Sequence, residues 1–294
     1  MSGRAVTERP FVFHCEGDEM LGIVHAPARP ARLGLLIVIA GGPQYRAGVG
    51  RGMVSMARTL AGEGIAVMRF DHRGLGDSAG TFQGFEHYAT DLQAAVDAFL
   101  REVPALDGVV VWGGCDAASG IMIHGQSLSG VSALGLGNPW VYIPEIQEAV
   151  MQQHYRDRLL QWSFWRKLLR FEYNLVDYAR GALRKVSAKL TGLLGRSGEQ
   201  GEGEGGGTFV DRMLAGFSRF DGPVLFVISG ESMAGREFDE LVQRDSGWSA
   251  AYGRDSCRRI DFPEADQTFS DAASRHSLNV ALVAWLRELC GSDD

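Results

Sequence analysis

The 294-residue sequence lacks long apolar runs, paired cysteine motifs and a leader-like start. No apolar run reaches the roughly 18 residues that a membrane-spanning helix needs, and residues 1–4 lead into a charged stretch instead of an apolar signal core. We therefore expect a cytoplasmic protein. The four cysteines show no CxxC spacing, which argues against a zinc site or a disulfide framework. We expect neither a metal nor a cofactor.

Excess positive charge is also lacking, because the net charge is −7, and this argues against a nucleic-acid partner. Residues 155–196 are the exception, with ten Lys and Arg against three Asp and Glu. Within them, residues 162–171 interleave aromatic and basic side chains, a pattern typical of a helix that covers an apolar pocket or contacts an anionic membrane. The alternative is a helix that packs on the sheet with its charges in water.

Short apolar runs alternate with helical periodicity along the rest of the chain. The runs predict strands at 35–40, 65–70, 109–112, 133–136, 224–228 and 257–262, and the periodicity predicts helices at 53–61, 88–100 and 275–289. Strands that alternate with helices indicate an α/β fold with a mostly parallel sheet. After Asn138-Pro139 the chain becomes helical and basic until Arg196, and a Gly/Glu-rich linker follows at 197–207.

Cys115 is the candidate nucleophile. It follows the predicted strand 109–112 and two glycines, and Gly113 and Ala117 give the small-x-nucleophile-x-small spacing of a nucleophile elbow. The start of the next helix lowers the pKa of a thiol and favours an oxyanion. The alternative is a buried structural cysteine, the usual fate of a free Cys. A second serine-centred match at 125–129 lacks a buried strand before it.

Two further loops follow predicted strands and point to the same edge of the sheet. Residues 41–46 (Gly-Gly-Pro-Gln-Tyr-Arg) offer backbone N–H groups for half of an oxyanion hole, and we expect the amides of Gly42 and Asp116 to form it. Residues 71–78 (Asp-His-Arg-Gly-Leu-Gly-Asp-Ser) form a glycine-rich turn that we expect to line the mouth of the sheet.

Together these segments resemble the α/β-hydrolases. Residues 41–46, 70–74, 112–116, 138–140 and 164–169 resemble more narrowly the exosortase A system-associated hydrolases of type 1. The resemblance implies a core of residues 1–139 and 216–294, a helical lid at 140–215 that includes the linker, and a cysteine at the elbow. It also implies a role beside bacterial exopolysaccharide and protein-sorting systems.

The sequence departs from that family at two positions of the catalytic triad. Ser232 stands where the family has its acid, and Gln267 stands where it has its histidine. An amide has no proton to exchange near neutral pH, so Gln267 cannot act as a general base. The substitutes that the sequence offers are Glu231 as the acid and His276 as the base.

Three hypotheses about function follow. The first is a hydrolase or acyl-transfer enzyme for esters or thioesters, acting through Cys115 on a small acyl or lipid-linked substrate, since a thiol depends on a base less than a hydroxyl does. The second is a catalytically eroded hydrolase fold that serves as a binding or scaffold protein. The third is a redox-sensitive thiol. The sequence indicates no oligomeric state.

Overall fold

A computed structural model of the chain describes residues 6–40, 44–147 and 208–291. Its strands form one eight-stranded sheet in the order β1-β2-β4-β3-β5-β6-β7-β8. β1 pairs antiparallel with β2, β2 pairs antiparallel with β4, and all other pairs are parallel. The strands are β1 Val6–Cys15, β2 Asp18–Pro27, β3 Leu33–Val38, β4 Val67–Phe70, β5 Gly108–Gly114, β6 Val131–Gly137, β7 Val224–Ser229 and β8 Cys257–Phe262.

The central strands are apolar because both of their faces are covered. All six residues of β3 and all six of β7 are buried, as expected for parallel strands between two layers of helices. The six strands that the sequence predicts are confirmed, with ends that differ by up to two residues. The hairpin of β1 and β2 was not predicted, since β1 is an edge strand with mostly exposed side chains and has no apolar run.

Seven helices accompany the sheet in the described part of the chain. They are α1 Gly52–Gly62, α2 Ala89–Glu102, α3 Asp116–His124, α4 Phe209–Ser218, α5 Met233–Arg244, α6 Ser246–Tyr252 and α7 Ala272–Gly291. The predicted helices correspond to α1, α2 and α7. None of the described helices is long and apolar enough to cross a membrane.

The helices lie on both faces of the sheet. On one face Met56 of α1 and Leu282 of α7 share a buried cluster with Ile37 of β3. On the other face Gly34 of β3 lies against Phe99 of α2, where an added Cβ would come within 2.7 Å of the ring. This arrangement confirms the predicted α/β fold with a mostly parallel sheet flanked by helices.

The predicted lid lies mostly outside the described residues. The chain divides into one compact unit of Met1–Ile146 with Thr208–Asp294 and a second unit of Gln147–Gly207. The linker at 197–207 and the basic residues at 155–196 belong to the undescribed part. The boundaries at 139/140 and 215/216 stay predictions.

Candidate active site

Cys115 lies in a strained turn between β5 and α3. Its backbone has φ 56° and ψ −130°, a conformation that non-glycine residues rarely adopt and that costs about 1–3 kcal/mol. Two hydrogen bonds fix it: the Cys115 N–H donates to the Gly137 carbonyl at 2.8 Å, and the Ser119 N–H donates to the Cys115 carbonyl at 3.2 Å. Such strain persists only where the surrounding structure imposes it. A strained residue between a strand and a helix is the geometry of a nucleophile elbow.

Small neighbours allow the elbow to form. A Cβ at Gly113 would lie 2.7 Å from Ile121 Cδ1 and 3.0 Å from Ala117 Cβ, so β5 and α3 approach too closely for a side chain there. Gly113 and Ala117 therefore allow the close approach of β5 and α3 that the elbow needs. The serine-centred match at 125–129 forms a short 3-10 turn at the end of α3, and the Ser127 hydroxyl donates to the His124 carbonyl.

Gln267 interacts with both Cys115 and Ser232. Its side chain lies close enough to the Cys115 thiol to lower the pKa of that thiol, and the Ser232 hydroxyl donates to Gln267 Oε1 at 2.5 Å. Ser232 Oγ also accepts from the Gly235 N–H at 3.0 Å, which directs the hydroxyl hydrogen at Gln267. The Gln267 amide therefore presents its oxygen to Ser232 and its NH₂ group to Cys115.

The loop after β8 holds Gln267 rigidly. Asp266 accepts hydrogen bonds from the Thr268 N–H at 2.9 Å and the Ser270 N–H at 3.0 Å, and from both of their hydroxyls. These bonds, first of all that of the Ser270 hydroxyl, lower the Asp266 pKa to about 2. Asn138, at the end of β6, donates to the Gln267 carbonyl at 3.5 Å. The loop keeps its ordered shape without a histidine.

The thiol of Cys115 is neutral at physiological pH. Burial raises its pKa above the ordinary thiol value, and the Asp116 carboxylate raises it further. Hydrogen bonds from the Asp116 N–H and from Gln267 act in the opposite direction and are outweighed. A raised pKa also disfavours the hypothesis of a redox-sensitive thiol, which depends on an easily formed thiolate.

A cavity of about 250 Å³ opens onto Cys115. Gln267 and Thr268 form one wall, and Val49 and Met53 form another. A smaller apolar pocket of about 70 Å³ adjoins it and shares Met53, Gln267 and Thr268 with it. The site thus offers a cysteine sulfur at the bottom of a mostly apolar space.

The two predicted halves of the oxyanion hole differ in outcome. The Asp116 N–H interacts with the Cys115 thiol and lowers its pKa, which agrees with an amide close to the sulfur. Gly42 lies outside the described residues. No group of three or more His, Cys, Asp or Glu among the residues that the structure describes is placed to hold a metal ion.

The structure does not bring the proposed substitutes to Cys115. His276 lies on the exposed side of α7, whereas Leu278, two residues later, is buried against the sheet; residues two apart point to different sides of a helix. The Glu231 side chain is exposed, and its backbone N–H donates to Ala265 at 3.1 Å. Across the described ranges, neither residue hydrogen-bonds Cys115 or Gln267. Ser232, with no exposed area, holds the position beside Gln267.

The turn at 71–78 acts as a structural clamp. The buried Asp71 carboxylate accepts from the Arg46 N–H at 2.5 Å, the Arg46 guanidinium and the Asp77 N–H at 3.1 Å. It thereby ties this turn to the segment that follows Pro43. His72 is 1% exposed and stacks on Tyr88 with 4.6 Å between ring centroids, so it is part of the core and not of the cavity.

The connecting roles of Asn138 and Asp71 were not predicted from the sequence. The Asn138 side chain donates to Ser229 Oγ at 2.9 Å and accepts from the Ser229 N–H at 2.8 Å, which joins the ends of β6 and β7. Asn138 has φ 44°, a value that Asn tolerates better than most residues. An Asn before Pro at a strand end was the available signal. For the Asp71–Arg46 contact, the sequence showed only that both residues lie in polar loops.

Comparisons with known proteins agree with this architecture. The family model for serine aminopeptidase S33 matches residues 47–156, less than half of the chain. A search of curated protein sequences finds no match. Among solved structures, the Pyrococcus furiosus esterase Pf2001 is 13% identical over 96% of this chain and 93% of its own, with a TM-score of 0.62.

Two further solved structures have the same fold. Est1E from Butyrivibrio proteoclasticus, with ferulic acid bound, is 16% identical over 95% of this chain and 98% of its own, with a TM-score of 0.60. XC6422 from Xanthomonas campestris, described as an α/β serine hydrolase without a lid, is 14% identical over 96% of this chain and 94% of its own, with a TM-score of 0.55. The chain therefore has the α/β-hydrolase fold.

Proposed function

We propose that this protein is an acyl-transfer enzyme or hydrolase of the ester and thioester class that works through an acyl group on Cys115. One observation carries the proposal: a cysteine occupies the strained elbow, at φ 56°, and lines a cavity of about 250 Å³. Strain of this kind concentrates at functional sites. The similarity to esterases and to the serine aminopeptidase S33 family model supports the same class of reaction.

The first step needs no protonation of a thiol leaving group. The Cys115 thiolate, present as a small fraction, attacks the carbonyl carbon of a thioester, and its sulfur lone pair forms the new C–S bond. The carbonyl π electrons move to oxygen, and in this proposal the Asp116 N–H stabilises the charge that develops there. When the carbonyl re-forms, the substrate C–S bond breaks and its electron pair leaves with the departing thiolate. The products are an acyl-Cys115 and a free thiolate.

The second step favours transfer over hydrolysis. Attack by water requires a base to remove a proton, and the Gln267 amide offers only N–H donors to the cysteine side of the site. A thiol that ionises in solvent needs no such base, because its thiolate attacks the acyl group directly. We therefore expect a long-lived acyl-Cys115 that passes its acyl group to a thiol more rapidly than to water.

The substrate order follows from the leaving group. Thioesters and activated esters are expected to react first, since their leaving groups depart as anions. Simple esters and peptides are expected to react least, because alkoxide and amide leaving groups need a proton that Gln267 cannot supply.

The biological setting in this proposal comes from the sequence. The resemblance to exosortase A system-associated hydrolases supports a role beside exopolysaccharide and protein-sorting systems, in the cytoplasm. The basic residues at 155–196 support an acidic or lipid-linked acyl substrate and contact with an anionic membrane surface.

A second function has one specific observation in its favour. Gln267 and Ser232 satisfy each other's hydrogen bonds beside a neutral thiol, which suits a site that binds an acyl compound without turning it over. In that case the protein is an eroded hydrolase that serves as a binding or scaffold protein.

Single-turnover kinetics separate the two functions. A short-chain acyl thioester of N-acetylcysteamine is mixed with the protein, and release of the thiol is followed with and without an added thiol acceptor. We expect a burst of one thiol per chain, slow turnover afterwards, and faster turnover with the acceptor. Cys115→Ala is expected to abolish the burst, and Cys257→Ala, at a cysteine in β8, is expected to retain it. Absence of a burst in the natural protein would favour the binding function.

A further inference from the structure

A second cleft lies beside α1, next to the 70 Å³ apolar pocket. It has a volume of about 390 Å³ and is lined by three arginines and two hydroxyl residues, with no acidic residue among its lining residues. We call it the arginine cleft and define it by Arg51, Arg58, Arg275, Ser55 and Thr59. None of these residues has a part in the reaction proposed for Cys115.

The cleft keeps positive charge after its internal partners are counted. Arg58 binds Glu8 through two hydrogen bonds of 2.6 and 3.0 Å, so this charge is compensated. Arg275 donates to the carbonyls of Phe269 and Ser270, which are neutral, and retains its charge. Arg51 is exposed and forms no ion pair with any residue in the described ranges. Two uncompensated guanidinium groups therefore line one space.

The cleft is related to the Cys115 cavity through the 70 Å³ apolar pocket. Gly52 and Arg275 line both the arginine cleft and that pocket. Met53 and Gln267 line both that pocket and the cavity at Cys115. A molecule that reached from the thiol to the arginines would pass along this pocket.

We propose that the arginine cleft binds a phosphate group on the substrate whose acyl group reaches Cys115. Guanidinium groups match the geometry of phosphate oxygens with paired N–H donors, and the Ser55 and Thr59 hydroxyls supply further donors. The substrate class is then an acyl thioester or ester that carries a phosphate at the end remote from the acyl group. This inference rests on the proposed function for the acyl end only.

Binding of matched probes tests the cleft without any reaction. 4′-Phosphopantetheine and pantetheine differ by one phosphate, and their affinities for the full chain are compared by calorimetry under reducing conditions. We expect the phosphorylated probe to bind about tenfold more tightly, as charge-assisted hydrogen bonds would give, and the difference to shrink at high salt. Inorganic phosphate is expected to compete with it. Equal affinities, or no competition, would overturn the proposal.

Variants of Arg51 assign the preference to this cleft. Arg51→Gln is expected to remove most of the phosphate preference, and Arg51→Lys to retain part of it. Arg101→Gln, at an exposed arginine in the last turn of α2, is the control and is expected to change nothing. Equal losses in Arg51→Gln and Arg101→Gln would also contradict the assignment. Circular dichroism checks that each variant is folded.

The two proposals fail separately. If the phosphate preference depends on Arg51 but no acyl group forms on Cys115, the proposed phosphate site is supported and the proposed reaction is contradicted. The opposite outcome is acylation of Cys115 by S-acetyl-pantetheine and S-acetyl-4′-phosphopantetheine at equal second-order rates, together with equal probe affinities. That result would contradict the phosphate site and support the reaction.

Discussion

The Ser232 hydroxyl donates a 2.5 Å hydrogen bond to the side-chain oxygen of Gln267. This pair stands where the resemblance places an acid and a histidine, and the Gln267 side chain in turn lowers the pKa of the Cys115 thiol. Under the function proposed above, Cys115 is the nucleophile, and Gln267 and Ser232 supply no general base to it.

Restoring the base is expected to create a hydrolase. In Gln267→His with Ser232→Asp, the histidine would occupy a loop that already points at Cys115, and the aspartate would keep the cap that Ser232 gives to the Gly235 N–H. General-base catalysis contributes at least ~100-fold, so we expect a gain of this order in the steady-state hydrolysis of short acyl esters. The same double change in a Cys115→Ala background is the control. An unchanged rate would show that another element of the site is missing.

Removal of the Ser232 hydroxyl is expected to destabilise the fold. Ser232 caps α5 by accepting from the Gly235 N–H at 3.0 Å, and loss of such a cap costs about 1 kcal/mol. Urea unfolding of Ser232→Ala measures the change. Ser218→Ala, at an exposed serine that ends α4, is the matched control and is expected to stay within about 0.5 kcal/mol of the natural protein. Equal stabilities of the two variants would refute the capping role.

The Asp116 carboxylate is expected to suppress thiolate formation. Asp116→Asn removes a negative charge that raises the Cys115 pKa, so alkylation of Cys115 by iodoacetamide near neutral pH is expected to become faster, on the order of threefold. Asp221→Asn, at an exposed aspartate before β7, is the control. A slower reaction in Asp116→Asn would mean that the carboxylate activates the thiol.

The raised Cys115 pKa also predicts how stability depends on pH. The folded state favours the neutral thiol, so this contribution is fully present below the pKa of the unfolded thiol and is lost as the pH rises through the higher folded pKa. The free energy of unfolding should therefore decline less on the alkaline side in Cys115→Ser than in the natural protein. Parallel alkaline curves from urea unfolding would contradict the direction of the shift.

Asp71 is expected to support the segment beside the site. Its buried carboxylate contacts both the backbone and the guanidinium of Arg46, and Asp71→Asn removes the buried one of the two carboxylates at this guanidinium, at a cost of about 2 kcal/mol. Asp77→Asn is a stringent control, because Asp77 contacts the same guanidinium at 2.7 Å from an exposed position, and such surface pairs contribute less than about 1 kcal/mol. Urea unfolding of Asp71→Asn and Asp77→Asn compares them directly. Similar losses in both variants would exclude the clamp.

Much of the fold was predictable because buried parallel strands appear in the sequence as short apolar runs. β8 was predicted with its observed ends, and β7 differs by one residue. β1 escaped because an edge strand with a proline and alternating charges resembles a loop in sequence. α5 was not predicted, although its buried residues Ala234, Phe238 and Leu241 recur at helical spacing, and α6 has only seven residues, too few for a clear periodic pattern.

The candidate site was also predictable only in part. Cys115, Ser232 and Gln267 could be identified because each follows a strand at a spacing that the resemblance supplies. Their mutual hydrogen bonds could not be predicted, because the Ser232–Gln267 contact spans 35 residues and depends on the fold of the loop after β8. The side on which α7 carries His276 also depends on packing, and the structure places His276 on the exposed side of that helix.

Peptide mass spectrometry of the acylated protein tests the central proposal most directly. The chain is incubated with an excess of a short-chain acyl thioester and digested, and the peptide that contains Cys115 is examined. We expect one acyl group on Cys115, stable toward water and removed by an added thiol, with no adduct in Cys115→Ala. An unmodified Cys115 after prolonged incubation would contradict it.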